Sequence, residues 1–408
     1  MVIPLHLERE TGAPAAQHAR VAHLQPGALN LQALPPLSLY VHFPWCVRKC
    51  PYCDFNSHAA TGEIPEARYL DAMVRDLEES LALVWGRRVH TIFFGGGTPS
   101  LMSAAGFDRL MSEIRARLPL DAAAEVTLEA NPGTFEAERF RAYRASGANR
   151  LSIGIQSFNP AHLKALGRIH DGDQARRAID VAAACFDNFN LDLMYALPGQ
   201  TPAEAEADLA TALGFAPPHL SCYHLTLEPN TEFAKFPPVL PDDDAAADMQ
   251  AMIDARLSDA GYAHYETSAH ALPGRRAAHN LNYWRFGDYL GIGAGAHGKI
   301  SFAHRVLRTV KPRNPASYMT ACEAGAAIGD AREPDARELP FEFMLGALRL
   351  NQGFETRLFT ERTGLAITCV NRELDTAENR GLITRTHTHI APTERGRRFL
   401  NDLLEIFL

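Results

Sequence analysis

From Leu37 onward, short apolar runs alternate with longer amphipathic stretches. Runs rich in Val, Ile, Leu and Phe predict strands over 37–41, 91–94, 125–128, 150–155, 190–194 and 220–225. The stretches between them, near 65–84, 103–118, 136–146, 172–185 and 202–214, carry apolar residues at helical spacing. Short strands separated by helices of about ten residues or more imply parallel pairing with crossover helices. The expected fold class is α/β, with a partial, TIM-like (β/α)6 barrel as its body. Barrel enzymes place their chemistry at the carboxyl ends of the strands.

The pattern changes after Glu228-Pro229-Asn230. A helix is expected over 242–260, short aromatic and glycine-rich elements over 262–302, and a poorly periodic connector over 303–334. From 339 to 408 the reading is three helices and then a hairpin-like piece around 382–391, which resembles a winged-helix module. The division that follows is an irregular arm (1–35), the partial barrel (36–235), an extension and connector (236–334), and a smaller, mainly helical, winged-helix-like domain (335–408). The usual task of a winged helix is DNA binding. Here the helix near 368–380 sets Glu373, Asp375 and Glu378 against Arg372 and Arg380, which does not make a phosphate-tracking face. A scaffold or lid role is expected instead.

Hydrophobic residues make up 46% and charged residues 22%, so the chain is an ordinary globular one. Its formal charge of −8 argues against a general nucleic-acid binder, which needs a basic face. No apolar run reaches the roughly 18 residues of a membrane span. Residues 1–35 carry Pro14, Pro26, Pro35, Glu8 and Glu10 and no apolar core, so neither a signal nor a transit peptide is read there. Seven cysteines, an odd number spread over a long chain, fit a reducing compartment, and a cytoplasmic location is expected.

Three of those cysteines, Cys46, Cys50 and Cys53, follow the first strand with C-x3-C-x2-C spacing. Three thiolates on one short loop can hold three corners of a cubane iron–sulfur cluster. The fourth iron is then left open to a ligand, by the logic that separates a catalytic zinc site from a closed one. Zinc is the alternative, with His42 or His58 as a fourth ligand, although zinc sites usually pair cysteines in C-x2-C knuckles. A disulfide and plain structural cysteines are the remaining readings.

Polar motifs recur at the later strand ends. Gly95, Gly96 and Gly97 with Thr98 follow the second strand; glycines let backbone approach a ligand and present free N–H groups. No Gly-Lys-Ser/Thr follows, which excludes a Walker loop. Glu129 ends the third strand and suits a cationic group or ribose hydroxyls. Gln156 ends the fourth, with Arg168 twelve residues on, and Asp192 interrupts the apolar fifth. A lone acid in such a strand needs a partner, so a polar barrel interior is expected. Residues 293–298 satisfy G-x-G-x-x-G, but no amphipathic helix follows and the dinucleotide reading fails. Finally, His279-Asn-Leu-Asn-Tyr-Trp284 offers a possible axial ligand and two rings for a flat porphyrin, against the plain alternative of aromatic packing.

The cysteine loop resembles that of the radical S-adenosylmethionine (SAM) enzymes. In that superfamily the open iron binds the amino and carboxylate groups of SAM, and an electron from the 4Fe–4S cluster generates a 5′-deoxyadenosyl radical. Across 37–230 the motifs, in order and spacing, are similar to those of the oxygen-independent coproporphyrinogen oxidase family. The resemblance implies that Cys46, Cys50 and Cys53 bind the cluster. It also implies that Tyr40, Tyr52, Gly96, Gly97, Thr98, Glu129, Gln156, Arg168 and Asp192 bind SAM, with loop 293–298 near the adenosyl group.

The run 279–284 resembles the HNxxYW signature of the HemW branch, whose members are described as haem chaperones; His279, Tyr283 and Trp284 would then bind haem. The oxidases carry a fourth cysteine two residues after the third, where this chain has Phe55. The implied function is therefore a haem chaperone that hands haem to an unidentified acceptor protein. The implied electron donor resembles a flavodoxin or ferredoxin, and any membrane association is peripheral, through the acceptor. The competing readings are an oxygen-independent coproporphyrinogen-III oxidase and a radical SAM transferase for another substrate.

Overall fold

The structure, a computed structural model, describes residues 29–134 and 137–408. Most of the arm and Glu136 therefore lie outside the described residues. Six parallel strands form the body: β1 (Leu37–Phe43), β2 (Val89–Gly96), β3 (Leu120–Ala130), β4 (Arg150–Gln156), β5 (Phe189–Tyr195) and β6 (His219–His224). Between them run α1 (Glu66–Ser80), α2 (Ala104–Arg117), α3 (Ala137–Ala145), α4 (Gly172–Cys185) and α5 (Pro202–Gly214). Local chemistry sets the helix starts. Asp171 with Gln174, and Thr201 with Glu204, form capping boxes at α4 and α5, satisfying backbone donors that the first turn leaves free.

Strand alternation separates two environments. Leu37, Leu39, Val41 and Phe43 of β1 are buried in the main core with Tyr69, Met73 and Leu77 of α1. The intervening Ser38, Tyr40 and His42 belong to the opposite face, since successive side chains of a strand point to opposite sides. That inner face is polar on most strands.

The sheet has twelve strands among the described residues. Beyond β6 come β7 (Ala263–Glu266) and β8 (Ala269–Ala271), with β8 antiparallel to β6 and β7 outermost. Helix α6 (Asp243–Asp259) precedes them. After α7 (Ala278–Trp284), β9 (Asp288–Ile292) returns to pair parallel with β1. It is followed by β10 (His297–Phe302), β11 (Arg305–Val310), α8 (Pro315–Glu323) and β12 (Asp330–Arg332). The order is β12-β11-β10-β9-β1-β2-β3-β4-β5-β6-β8-β7, an open arc and not a closed barrel.

The connector expected over 303–334 is thus two sheet strands and a helix. Its pattern hid them because Arg305 and Arg308 interrupt β11. Arg308 is held by Glu342 at 2.5 Å and Tyr289 at 3.0 Å, so a charge occupies a sheet position that reads as loop.

The C-terminal part contains α9 (Glu338–Ala347), α10 (Thr356–Thr363), α11 (Asn371–Asn379) and a three-stranded sheet of β13 (Phe354–Glu355), β14 (Ile383–Arg385) and β15 (His389–Pro392). Its core centres on Phe343, whose ring meets Phe354 at 5.0 Å and Phe359 at 5.1 Å. Leu29 and Leu31 are buried in this same core, and the Leu31 amide donates to Ala303 O at 2.9 Å. The described end of the arm is therefore anchored, where the sequence suggested a loose segment. On α11, Asp375 and Glu378 both pair with Arg385. No described helix is long and apolar enough to cross a membrane.

Candidate functional site

The cysteine loop leaves the end of β1 and is clipped at its base. Trp45–Cys46 pairs with His58–Ala59, and the His58 amide donates to Pro44 O at 2.7 Å. Asn56 fastens the loop from behind, donating to Ala294 O and Arg313 O, each at 2.9 Å. Cys46, Cys50 and Cys53 are free and half-buried. Each sulfur has its own donor: Thr98 Oγ1 at 3.5 Å from Cys46, Arg168 Nη1 at 3.8 Å from Cys50, and Ser57 Oγ at 3.6 Å from Cys53. Burial pushes the Cys46 and Cys53 thiols up, so the charge of a bound metal group is needed to hold them as thiolates. Donors on every sulfur suit anionic thiolates that share charge with such a group.

Two of these donors belong to one continuous chain. Thr98 Oγ1 accepts from Asn131 Nδ2 at 2.8 Å, and Asn131 Oδ1 accepts from Arg168 Nη2 at 2.5 Å. Cys46, Thr98, Asn131, Arg168 and Cys50 are thereby linked around one side of the loop. Arg168 also donates to Gly154 O at 2.6 Å, which ties it to the end of β4. Tyr52 is half-buried beside Cys50 and Arg168, and desolvation pushes its hydroxyl well above the ordinary range.

Beside the loop, the carboxyl ends of the strands enclose an acidic chamber. The Gly96 amide donates to Glu129 Oε2 at 3.2 Å. Gly96 has φ +113°, and a Cβ there would stand 2.5 Å from the His42 ring; the position needs glycine on both counts. His42 Nδ1 shares a hydrogen bond with the Tyr40 hydroxyl at 2.8 Å. Burial, with Asp192 adding to it, pushes the Glu129 carboxyl up to about 8. Asp192 is raised too, mainly by burial, although Asn190 donates to it at 2.7 Å and Ser152 at 3.2 Å. Gln156 adopts φ +66°, a sparsely populated conformation for a side-chain-bearing residue that tends to occur at functional sites. Arg150 lowers Asp192 without offsetting its burial, and Glu129 is drawn down only by the Gly96 amide, so a positively charged ligand would help restore both half-buried acids to their ionised forms.

The run 279–284 lies deeper. His279 is buried in α7, its Nδ1 is 2.7 Å from Glu125 Oε1, and its ring stacks on Phe93 with centroids 4.3 Å apart. Backbone amides of Ala278 and His279 donate to the same carboxylate. These bonds outweigh burial and hold Glu125 well below the ordinary carboxylate range. Tyr283 is half-buried and meets Tyr289 edge to face at 4.9 Å. Trp284 turns toward the C-terminal part, where Arg349 lies 4.5 Å over its ring. Tyr283 lies within electrostatic reach of Glu129 and Tyr40. Loop 293–298 packs behind the cysteines, with Gly293 against His42 O and Gly295 against Asn56.

The sequence reading singled out neither Asn131 nor Glu125, and offered His42 only as a fourth ligand to zinc. Asn131 stands in the same Glu-Ala-Asn-Pro run as Glu129, so its signal was visible as an amide beside a strand-end acid. Glu125 read as an ordinary position of an alternating strand.

Comparison with known proteins places this geometry in context. The family model of the radical SAM superfamily matches residues 40–212, and that of the HemN C-terminal domain matches 335–399. The chain is 51% identical over 377 residues to the heme chaperone HemW of Escherichia coli, covering 92% of this chain and 99% of the relative. Against the heme chaperone HemW of Haemophilus influenzae it is 46% identical over 381 residues, covering 92% and 98%. Among solved structures, coproporphyrinogen III oxidase (HemN) from Escherichia coli superposes with a TM-score of 0.79 at 24% identity, covering 92% of this chain and 90% of that one. That likeness concerns the fold.

Proposed function

Because the chain belongs to the HemW family of the radical SAM superfamily, we propose that it is a haem chaperone that binds a 4Fe–4S cluster, SAM and haem and passes the haem to an acceptor protein. The observation that carries the cofactor part of this reading is the three-sulfur loop with a separate donor on each sulfur, set beside a buried acidic chamber. The chain's own residues fit both groups. Cys46, Cys50 and Cys53 would hold the cluster, whose fourth iron supplies a metal corner for the amino-acid end of SAM and one-electron chemistry.

Thr98, Ser57 and Arg168 stabilise sulfur charge. Glu129 accepts a cationic group of the ligand while the Gly96 amide fixes its orientation. Asp192, held by Asn190 and Ser152, supplies a second acceptor deeper in the chamber. Tyr40, Tyr52, Gly97 and Gln156 shape its walls.

The chaperone reading is favoured over the oxidase by position 55. Phe55 stands where the oxidases have a further cysteine, and the residue is 52% exposed, an apolar surface on the cysteine loop. His279, Tyr283 and Trp284 remain the family-derived haem residues of this proposal, with the burial of His279 setting the test below. A cytoplasmic setting, a flavodoxin- or ferredoxin-like electron donor and a protein acceptor complete it.

The test uses anaerobically reconstituted full-length protein. It should bind haem and release it to an apo-haemoprotein, and it should form no protoporphyrinogen from coproporphyrinogen III with SAM and a reductant. Sustained porphyrinogen turnover would replace this reading with that of an oxidase.

A further inference from the structure

Away from the cysteines, three ligand-type side chains converge at the outer edge of the sheet. Among the described residues, Asp254 of α6, His264 of β7 and His270 of β8 are the one His/Cys/Asp/Glu trio whose ligand atoms all lie within 4.8 Å of one another. Asp254 Oδ1 is 3.0 Å from His270 Nε2 and 3.3 Å from His264 Nδ1. Ligand atoms about 2.0–2.1 Å from a tetrahedral ion stand about 3.3 Å apart, so these separations are already near those of a coordination shell.

The hydrogen bonding leaves a defect that an ion would remove. His264 Nε2 lies 3.3 Å from the Thr267 carbonyl oxygen, which can only accept, so the ring proton belongs on Nε2. That assignment leaves the Nδ1 lone pair of His264 facing the carboxylate oxygen of Asp254, two acceptors toward each other. Charging His264 would relieve the clash, but the His270 ring is stacked on it with centroids 4.1 Å apart. A ligating imidazole that donates its other N–H to a backbone carbonyl is the usual outer-shell arrangement of a histidine metal site. His270 is 2% exposed and points its Nε2 at the same carboxylate oxygen, so it would ligate through that atom.

We propose that Asp254, His264 and His270 form a second metal site, for a divalent first-row transition ion of the zinc type. Two imidazoles and one carboxylate are a borderline nitrogen/oxygen set that suits such ions over calcium or magnesium. The Asp254 side chain is 38% exposed and that of His264 is 23% exposed, so solvent can reach the ion and occupy its fourth position. On binding, the stacked rings splay so that each lone pair points at the ion. The site clamps α6 to the β7–β8 hairpin, fixing the free edge of the twelve-stranded sheet. It lies on the helix-covered side, since Tyr265, the neighbour of His264, reaches inward to His219 at 2.9 Å.

The test uses the full chain with its iron–sulfur cluster already reconstituted, exposed to zinc, or to cobalt(II) as a coloured probe, and then desalted. One zinc per chain should be retained with no loss of iron, and cobalt should give visible d–d bands. Asp254→Asn and His264→Gln, both at partly exposed positions, should each lose the retained zinc and the cobalt bands while keeping wild-type iron content and circular dichroism. Equal zinc retention in both variants overturns the proposal. So does the absence of retained zinc in the wild type, and so does zinc uptake matched by iron release, which would put the ion at the cysteines.

Discussion

The Gly96 amide donates to Oε2 of Glu129 across 3.2 Å, yet the carboxyl keeps its proton up to a pH of about 8 because burial and Asp192 outweigh that bond. An unperturbed glutamate titrates near 4.3. The folded form therefore binds the extra proton between about pH 4 and pH 8, and stability of the ligand-free chain falls as pH rises through that window.

A cation entering the chamber ionises Glu129, so ligand binding below pH 8 releases about one proton. SAM affinity should then rise about tenfold per pH unit from pH 6 toward pH 8 and level off above it. Titration calorimetry in buffers of different ionisation enthalpy measures the released proton. Glu129→Gln should flatten the dependence, and a pH-independent wild type would count against a cation at this carboxylate.

His279 and Glu125 make a second testable pair. His279→Ala leaves a buried carboxylate with only backbone donors from the pair, and a hydrogen bond to a charged group is worth about 1.5–3 kcal/mol. Urea unfolding should show a loss of that order at neutral pH. The native pKa of Glu125 is depressed, so this contribution should vanish as the solution is acidified below the ordinary glutamate range. If His279 is instead an axial haem ligand, the variant should shift the Soret band and weaken haem binding with little change in unfolding.

Asp76 is buried under the loop 293–298. Lys311 Nζ approaches it at 2.5 Å, Tyr318 donates at 2.7 Å, and the Gly293 amide donates at 3.2 Å. Removing one partner of a buried ion pair costs about 3–5 kcal/mol, and Lys311→Met should do so. Because Gly293 packs on His42 O and its neighbour Ala294 accepts from Asn56, the same variant should lower the yield of reconstituted iron. Full iron incorporation in a destabilised Lys311→Met protein would show that the two effects are separate.

The cluster assignment predicts about four irons per chain, the number in a cubane cluster. Cys46→Ala, Cys50→Ala and Cys53→Ala should each abolish it, whereas serine at Cys185 or Cys369 should leave the count unchanged. Iron lost from either serine variant would mean a ligand set wider than the cysteine loop.

The barrel strands and helices were legible because their periods are clean. α4 and α5 begin and end where the pattern put them, 172–185 and 202–214. The late strands were not. β11 carries Arg308 into a half-buried ion pair with Glu342 from another part of the chain, and nothing local in the sequence reveals that partner. The strand-end motifs pointed to one face of the sheet because that face is fixed by strand direction. The chain from Thr98 through Asn131 to Arg168 is a three-dimensional closure: Thr98 and Arg168 were marked as separate strand-end residues, and Asn131, which joins them, reads alone as an unremarkable amide. Burial of His279 was hidden for the same reason: its Glu125 partner lies 154 residues away in sequence.

The pairing of β9 with β1 bears on how the protein is made. The strand that launches the cysteine loop has β2 on one side, but its other flank is filled only by residues 288–292. Until those have left the ribosome, β1 presents a row of unpaired backbone groups, the kind of edge that invites pairing with a stranger. A shortened chain ending near residue 235 would carry all three cysteines and still keep that edge open. On the proposed function, completion of the cysteine loop's scaffold would wait for a strand that itself bears no metal ligand.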